Sequence, residues 1–320
     1  MRGPGCRTRQ ERSRNQHIER LENLEILIYV YRDLGFPFFV CRTGITQTGL
    51  IRNMIKPLNC ALTIAGSDSG GGAGIQADLK AFAVHRVYGL SVITVLTAQN
   101  TLGVHGLSVP EPGFVTLQLQ SVLEDFPVKA AKTGMLFSVD IISEVADALV
   151  NRAIPLVVDP VCLSQTGHKL LQDNAVKALK KKIIPIASLI TPNKPEAELL
   201  TGIKKMDSHE KVLEGIRIFR EMGAESVLIK GGHFKGQKEM TDWLGIEDED
   251  PLPIKRPRIN TRNTHGTGCT LSAAITANLS LERTMQEAVL NARDYLQQTL
   301  EKSFDLGKGD GPVNHLAGLV

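Results

Sequence analysis

Short apolar runs alternate along this chain with longer amphipathic segments, and this alternation limits the folds that the chain can adopt. The runs are "ALTIA" (61–65), "LSVITVL" (90–96), "PLVVD" (155–159), "SLIT" (188–191) and "SVLIK" (226–230). They are rich in Val, Ile and Leu without strict alternation, which is typical of strands that are covered on both faces. The pattern predicts an α/β fold, a three-layer αβα sandwich with a mostly parallel central sheet.

Three segments between or after these runs carry apolar residues at helical spacing. The stripes are Ile75, Leu79 and Phe82; Val139, Ile142, Val145, Ala146 and Leu149; and Met285, Ala288, Val289, Ala292 and Leu296. Each stripe predicts a helix with one face against the sheet. Because no internal repeat or low-complexity linker interrupts the pattern, we expect residues 58–320 to form a single domain.

Residues 1–57 differ in composition from the rest of the chain. They carry a net charge of +5, with nine Arg and one Lys, whereas the remaining 263 residues carry −2. The near-neutral body gives no indication of a nucleic-acid partner. The apolar run "LEILIYVY" contains an acidic residue and lacks a cleavage site, so it is a poor signal peptide. We interpret residues 1–57 as an atypical extension and expect translation to start at Met54; a natural peptide from residues 10–50 would contradict this.

The cysteines and the hydropathy pattern indicate the compartment. Five cysteines are scattered without a CxxC pair, at Cys6, Cys41, Cys60, Cys162 and Cys269. This spacing argues against a zinc site and a disulfide scaffold, and it suits a reducing cytoplasm. Since no stretch of about 18 apolar residues occurs, we expect no membrane span.

Polar residues and glycines follow each of the five apolar runs. The segments are "GSDSGGGAG", "TAQN", "DPVCLSQTG", "PNKPEAE" and "GGH". In an open parallel sheet the carboxyl ends of the strands share one edge, and ligands bind there. The sequence therefore predicts that these motifs line one cleft.

The glycine-rich segment "AGSDSGGGAGIQADL" (65–79) reads as a strand, a turn and a helix. It lacks the Lys of a P-loop and matches dinucleotide spacing only loosely. Three consecutive glycines favour a loop whose backbone closely approaches a flat ligand. Asp78 is either a dipole-stabilising acid or a ligand contact. Gln99 is either a surface residue or an amide that binds a heteroaromatic ring with an amino group.

Carboxylates and a lysine follow the later strands. Asp159 and Glu196 could hold Mg²⁺ through water beside phosphates, although each alone suits a helix cap or a surface charge. Asn193 could add a polar contact. Lys230 could balance phosphate charge, or it could be an ordinary solvated lysine.

The "GTGC" turn (266–269) precedes a run of small and apolar residues. Unpaired N–H groups at a helix N-terminus and two glycines predict an anion-binding nest. Cys269 lies in that positive field, so we expect its pKa to fall below about 8.5. The thiolate could accept a substrate proton or act as a nucleophile, and a buried structural cysteine remains the alternative.

Together these motifs resemble the hydroxymethylpyrimidine/phosphomethylpyrimidine kinases of the ribokinase-like superfamily. The resemblance runs from about Leu58 to Leu316 and includes "TAQNT", "TGML" (133–136), "LITPNKPEAELL", "KGGH" and "NTHGTGCTLSAAI". It implies a fold without a large lid domain, ATP and Mg²⁺ as cofactors, and a homodimer. It also implies two successive phosphorylations, of 4-amino-5-hydroxymethyl-2-methylpyrimidine and then of its monophosphate.

The resemblance also implies roles for individual residues. On the substrate side, it assigns the pyrimidine pocket to Gly66, Asp78, Gln99 and Met135. At the turn, it assigns the anion hole to Gly266, Thr267 and Gly268 and the catalytic base to Cys269. On the ATP side, it assigns Mg·ATP binding to Asp159, Asn193 and Glu196 and nucleotide binding to Lys230 and Gly232. Pyridoxal kinase activity and a non-catalytic pyrimidine sensor remain alternatives. A nicotinamide-dependent oxidoreductase would need an acidic residue after the second strand, and "VITVLTAQN" supplies none.

Overall fold

The computed structural model describes residues 58–162, 170–231, 239–246 and 249–319. The strands are β1 (Cys60–Asp68), β2 (Tyr88–Asn100), β3 (Gly103–Ser108), β4 (Val128–Thr133), β5 (Leu156–Val158), β6 (Leu189–Ile190), β7 (Ser226–Ile229), β8 (Glu239–Ile246) and β9 (Leu252–Pro257). The α-helices are α1 (Gly74–Val84), α2 (Pro112–Asp125), α3 (Val139–Leu149), α4 (Asp173–Ala178), α5 (Lys194–Thr201), α6 (His209–Glu221), α7 (Thr267–Ser280) and α8 (Met285–Glu301). The expectations for residues 1–57 and for Gly232 fall outside the described residues.

The strands form one nine-stranded sheet in the order β3-β2-β1-β4-β5-β6-β7-β8-β9. The central strands from β2 to β7 pair in parallel. At the edges, β3 pairs with β2, and β8 with β7 and β9, in antiparallel fashion. The predicted mostly parallel sheet is confirmed, and all five predicted strands belong to it.

Helices cover both faces of the sheet, as the predicted αβα sandwich requires. Side chains alternate along β1: Leu62 and Ile64 join the core beneath α2, α3 and α6, while Ala61 joins the core beneath α1, α7 and α8. The three predicted helical stripes lie in α1, α3 and α8 and are largely buried. Among the described helices, none is long and apolar enough to cross a membrane.

Helix α7 is buried along nearly its whole length, and it positions the predicted anion turn. Every residue from Thr270 to Ser280 is buried. Its hydroxyl side chains donate to carbonyls of the preceding turn, for example Thr270 Oγ1 to Gly266 O at 2.8 Å and Thr276 Oγ1 to Ser272 O at 2.8 Å. Small side chains with internally satisfied hydroxyls let α7 pack on α1, α8 and strands β1, β4 and β5.

Strand β4 is the parallel strand that the apolar pattern did not indicate. Its sequence "VKAAKT" contains two lysines and no Ile or Leu. The Lys132 side chain is nevertheless fully buried, because its Nζ lies 2.8 Å from Asp78 Oδ1 on α1. A buried ion pair thus takes the place of an apolar contact in the middle of the sandwich.

Candidate active site

The glycine-rich loop wraps around the carboxylate of Asp68, the last residue of β1. Oδ1 accepts a hydrogen bond from Gly70 N at 2.8 Å, and Oδ2 accepts from Gly72 N at 3.1 Å and Ala73 N at 2.8 Å. Burial acts to raise the pKa of this carboxyl, but hydrogen bonds from His265, Ala73 and Gly70 lower it. These loop N–H groups therefore donate to Asp68. The close approach of the loop backbone to a flat ligand, which the three glycines led us to expect, does not involve these N–H groups.

His265, one residue before the anion turn, is the fourth partner of Asp68. Its Nε2 lies 2.8 Å from Asp68 Oδ2 and 3.5 Å from Gln99 Nε2. The backbone of Gln99 is tied to the same loop, since its N–H donates to Ser69 Oγ at 2.8 Å. The end of β2, the glycine loop and the start of α7 therefore meet at one point.

Gly66 and Met135 lie close to each other, and Gly66 packs against Val95 of β2. A Cβ on Gly66 would lie 2.8 Å from Val95 Cγ1 and 4.0 Å from Met135 Cβ. Gly74, the first residue of α1, has a φ of +56°, and a Cβ there would lie 2.3 Å from Gly66 O. These two close approaches require glycine, and they bring the start of α1 against the end of β1.

Asp78, expected to contact the pyrimidine, binds buried partners in the ligand-free protein. Its side chain is fully buried, with Oδ1 2.8 Å from Lys132 Nζ and Oδ2 accepting from Thr63 Oγ1 at 2.6 Å. Burial acts to lower the Lys132 pKa, but the negative charge of Asp78 raises it, so the lysine is charged. Because both carboxylate oxygens are engaged, Asp78 holds a buried cation beneath the site.

The N-terminus of α7 has the geometry expected of an anion site. Gly266 is the N-cap with a φ of +84°, and no side chain caps the helix. Thr267 N donates to Thr264 O at 3.3 Å within the turn, which leaves the N–H groups of Gly268 and Cys269 as the candidate donors. A Cβ on Gly268 would lie 3.4 Å from Asp159 Oδ2 and 3.5 Å from Lys230 Nζ, so the missing side chain keeps this space open.

The predicted low pKa of Cys269 is wrong for the ligand-free protein. Burial raises the pKa of this thiol to about 12, and the nearby carboxylates of Asp78 and Asp159 add to the effect. The charge of Lys132 and the backbone N–H of Gly74 act in the opposite direction but do not outweigh burial. The loss of hydration at the helix start thus exceeds the stabilisation that the helix dipole offers to a thiolate.

Asp159, Lys230 and Glu196 form a buried charged cluster beside Gly268. Lys230 Nζ lies 3.1 Å from Asp159 Oδ1. Burial acts to lower the Lys230 pKa, but the charges of Asp159 and Glu196 raise it. Burial raises the pKa of Glu196 to about 7, with Lys230 opposing this and Asp159 adding to it. At neutral pH Glu196 is therefore only partly ionised, and a divalent cation beside it would favour its carboxylate form.

Asn193 and Glu196 also begin α5 as a reciprocal capping box. Asn193 Oδ1 accepts from Glu196 N at 2.9 Å, and Glu196 Oε2 accepts from Asn193 N at 2.9 Å. The Asn193 side-chain carbonyl is therefore used by the helix start, and its amide N–H₂ takes no part in this capping box. The sequence "NKPE" carries this capping signal directly.

The donor set of Asp159 and Glu196 fits Mg²⁺. Oxygen ligands suit this ion, which keeps several waters and uses one or two carboxylates beside substrate phosphates. Over the described ranges, no group of three His, Cys, Asp or Glu side chains is arranged to hold a metal. A pair of carboxylates next to an open anion turn is the arrangement that a water-rich phosphate-bound ion needs.

The predicted residues lie in two neighbouring groups. Gly66 lies close to Met135, and Gln99 contacts His265 just before α7. Asp159 and Lys230 lie beside Gly268 in the first turn of α7, and Glu196 interacts with both. Sequence reasoning did not assign Asp68 or His265 to the site, although a carboxylate before three glycines was a visible signal. It also gave no role to Lys132, because an apolar-pattern search does not register a lysine inside a strand.

Comparison with known proteins identifies the family. The phosphomethylpyrimidine kinase family model matches residues 68–314. The hydroxymethylpyrimidine/phosphomethylpyrimidine kinase of Haemophilus influenzae is 46% identical over 259 residues, which are 80% of this chain and 96% of that protein. A thiamine biosynthesis bifunctional protein of Geobacter sulfurreducens is 45% identical over 274 residues, 85% of this chain and 55% of that protein.

Solved structures share the fold over most of the chain. The ADP complex of Bacillus subtilis pyridoxal kinase has a TM-score of 0.75 and 35% identity, covering 82% of this chain and 98% of that one. The phosphomethylpyrimidine kinase of Clostridium difficile 630 has a TM-score of 0.66 and 41% identity, covering 74% of this chain and 97% of that one. The ribokinase-like fold is thereby confirmed, and the chain belongs to the phosphomethylpyrimidine kinase family.

Proposed function

We propose that this kinase transfers the γ-phosphoryl group of ATP to the hydroxymethyl group of 4-amino-5-hydroxymethyl-2-methylpyrimidine and then phosphorylates the monophosphate, in thiamine biosynthesis. One observation carries the proposal. His265, which contacts the Gln99 amide, directly precedes the α7 N-terminus, and Gly268 in the first turn of α7 lies beside the charged pair of Lys230 and Asp159. A flat ring on one side and a nucleotide on the other would meet at this turn.

The ring side of the site would orient the acceptor hydroxyl. The Gln99 amide offers both a donor and an acceptor to the ring edge. The resemblance would place Gly66 and Met135, which lie close to each other, beside the ring. Holding the hydroxymethyl oxygen near the turn supplies the proximity on which phosphoryl transfer chiefly depends.

The nucleotide side would bind the phosphates. The N–H groups of Gly268 and Cys269 and the α7 dipole favour the transferring phosphoryl oxygens. Lys230 would exchange part of its contact with Asp159 for a phosphate oxygen. Asp159 and Glu196 would hold Mg²⁺, which neutralises β- and γ-phosphate charge when bound.

We assign Cys269 the role of taking the hydroxymethyl proton. Its raised pKa means that the free enzyme carries a thiol, which cannot itself accept a proton. The sulfur would first release its own proton to solvent, and the resulting thiolate would then take the hydroxymethyl proton as the new P–O bond forms. A loose transition state delays that transfer, because the acceptor oxygen gains little bond order before the phosphoryl group departs.

The deciding experiment measures ADP release with the hydroxymethylpyrimidine and with its monophosphate as acceptors. We expect turnover with both in the wild type. We expect at least a hundredfold loss of kcat/KM in Lys230→Met, by the general magnitude of phosphate-clamp contacts. Lys129→Met is the matched control, since Lys129 is exposed and lies 3.7 Å from Glu282 at the surface. Absence of ADP release with either pyrimidine would contradict the proposal.

Pyridoxal phosphorylation is the second candidate, because solved pyridoxal kinases match this fold with 35% and 31% identity. Pyridoxal also presents a hydroxymethyl group on a nitrogen heterocycle, but it lacks the amino group that the Gln99 amide would bind. We therefore expect kcat/KM to be higher for the pyrimidine. A higher value for pyridoxal in direct competition would reverse the assignment.

We further propose a homodimer that forms through the β3 edge. Strand β3 ends the sheet, and it carries exposed Val104 and Leu107, with exposed Leu102 in the preceding turn. Exposed Phe114 and Leu117 lie on the neighbouring helix α2. An apolar edge of this kind favours association with a second copy. Light scattering should show a dimer, and Leu107→Glu should shift it toward monomer; a monomeric wild type would refute this.

A cytoplasmic location is part of the proposal. It is supported by Cys60, Cys162 and Cys269, which are free thiols, as expected of a protein in a reducing compartment.

A further inference from the structure

Asp68 and His265 have no role in the chemistry above, yet they contact the residue that would bind the ring. His265 Nε2 bridges Asp68 Oδ2, at 2.8 Å, and the Gln99 side-chain amide, at 3.5 Å. Asp68 is 3% exposed, and the imidazole is also largely shielded from solvent. A largely buried chain of three polar side chains therefore runs from the glycine loop to the ring pocket.

The first link of this chain fixes the position of a proton. Asp68 accepts hydrogen bonds from three backbone N–H groups, and an ionised carboxylate can only accept. The nitrogen that faces it must therefore carry the hydrogen, so His265 is protonated on Nε2. The ring can be neutral or cationic, but the atom nearest to Gln99 is a donor in both forms.

The second link fixes the orientation of an amide. A glutamine amide has nearly the same shape after a rotation of 180°, so an unrestrained Gln99 could offer either its C=O or its N–H₂ at either end. At 3.5 Å the His265 proton makes a weak contact, but it attracts a carbonyl oxygen and repels an N–H₂ group. Thr97 Oγ1 lies at the other end of the amide, 3.2 Å from Oε1, and also donates to Ser67 O at 2.9 Å.

One orientation satisfies all of these groups. Thr97 has a single proton, and the shorter of its two contacts is with Ser67 O. Turning the Gln99 amide by 180° from the orientation in which Oε1 faces Thr97 and Nε2 faces His265 lets the Thr97 oxygen accept from the N–H₂ group and sets the C=O opposite the protonated Nε2 of His265. Each end of the amide then uses one hydrogen-bonding position on the protein and keeps one for a ligand. The remaining pair is an N–H donor beside a carbonyl acceptor, in a fixed order.

We propose that the Asp68–His265 pair is a positioning device that locks the Gln99 amide, so that the site accepts an aminopyrimidine edge and rejects its oxo counterpart. The aminopyrimidine presents ring N3 as an acceptor and its 4-amino group as a donor. The 4-oxo analogue presents N3–H and C4=O, the reverse order, which a freely rotating glutamine would read equally well. This inference rests on the proposed function, because it assumes that Gln99 contacts the ring.

The surroundings of His265 keep the imidazole in place. The backbone N–H of His265 donates to Gly311 O at 3.1 Å, and His265 pairs with Pro312 in a β-bridge. A Cβ on Gly72 would lie 2.4 Å from His265 Cδ2, so the loop glycine leaves only enough room for the ring. A side chain held by its own backbone and by the loop can resist rotation of the amide.

The test compares kcat/KM for 5-hydroxymethyl-2-methylpyrimidine bearing a 4-amino or a 4-oxo group. In the wild type we expect the amino compound to be preferred at least about a hundredfold, as sites built for a particular hydrogen-bonding pattern do. In His265→Phe the preference should fall by about tenfold or more, with KM for ATP unchanged. His265→Gln, which returns an N–H near the Nε2 position, should restore most of it.

His209→Phe is the matched control. The His209 ring stacks on the Trp243 ring with 4.2 Å between the ring centroids, away from Gln99 and His265. An unchanged preference in a folded His265→Phe enzyme would overturn the positioning role. If wild-type enzyme phosphorylated neither compound, the proposed function would fail instead, so the two failures are distinguishable.

A measurement on the wild type covers the case in which His265→Phe does not fold. Nitrogen-15 NMR of the labelled imidazole should show Nε2 protonated across the neutral pH range. An imidazole that carries its only proton on Nδ1 would leave a bare Nε2 beside Gln99 and would refute the proposal.

Discussion

The buried pair of Lys132 and Asp78 supports a quantitative prediction. Both side chains are fully buried, and their charged atoms lie 2.8 Å apart. At that separation an effective dielectric constant of about 20 gives a Coulomb attraction of about 6 kcal/mol. Lys132→Met keeps the length of the side chain but leaves Asp78 without its cation. We expect it to lower the free energy of unfolding by about 3–5 kcal/mol, as is typical when one partner of a buried pair is removed.

Urea denaturation at neutral pH measures this loss. An unchanged dependence of the unfolding free energy on urea concentration would show that the variant still unfolds in two states. Asp78→Asn should cost a similar amount, because it leaves Lys132 buried and charged. The double variant should cost about as much as either single one, so the two effects will not add. Lys129→Met is the control from the same strand, and its exposed ion pair with Glu282 at 3.7 Å predicts a change below about 1 kcal/mol.

The pH dependence of the Lys132→Met variant gives a second test of the same reasoning. Burial already raises the pKa of Asp78 in the wild type although Lys132 opposes this, and without the lysine the folded-state pKa rises further above the unfolded value of about 3.9. The folded variant then binds more protons than the unfolded chain, so its stability falls as pH rises through the folded pKa. Its deficit relative to the wild type should be smaller at pH 5 than at pH 8. The argument would be refuted if Lys132→Met lost less than about 1 kcal/mol of unfolding free energy at both pH values. It would also be refuted if the losses of the two single variants added up in the double variant.

Three further predictions concern single sites. Cys269→Ala should retain pyrimidine and ATP binding by calorimetry but lose most of its kcat, and a wild-type kcat would disprove the base assignment. Alkylation of the Cys269 thiol should be slow at pH 8, because burial raises its pKa to about 12. Gly231→Ala should lower the thermal midpoint, since its Cβ would lie 1.8 Å from Thr241 O, whereas Gly113→Ala, with no atom within 4 Å, should raise it slightly. Burial lowers the pKa of His315 to about 4, so its stabilising contribution is complete above pH 6.5 and is lost as pH falls toward 4. His315→Phe should therefore reduce the loss of stability over that range in acid denaturation.

The fold was predictable because its central strands are buried on both faces. Runs such as "LSVITVL" and "SVLIK" had to be apolar, and the parallel sheet followed from the helices between them. The antiparallel strands β3, β8 and β9 left no such signal, because each is partly exposed and mixes polar with apolar residues. Strand β4 was missed for the opposite reason, since its buried lysine is neutralised by a residue 54 positions away along the chain.

The site was predictable wherever backbone geometry determines the chemistry. Glycines at a helix start indicate an anion turn by themselves, and Gly266 adopts the left-handed φ that this requires. Side-chain roles were less accessible, because they depend on partners from distant segments. The sequence could not show that burial outweighs the helix dipole at Cys269, or that Asp78 faces a lysine and not the ring.

The position of α7 has a consequence for synthesis of the chain. The helix packs on β1 and α1, whose residues are made about 200 positions earlier, and it also covers β4 and β5. Until residue 280 has left the ribosome, this face of the central strands has only α1 as cover, and β4 and β5, with Ala130 and Val157, lack the layer that α7 supplies. The anion turn itself forms only with that last layer. A nascent chain of this kinase is therefore exposed to aggregation and to chaperones for most of its synthesis, and it becomes competent to bind phosphate only when it is nearly complete.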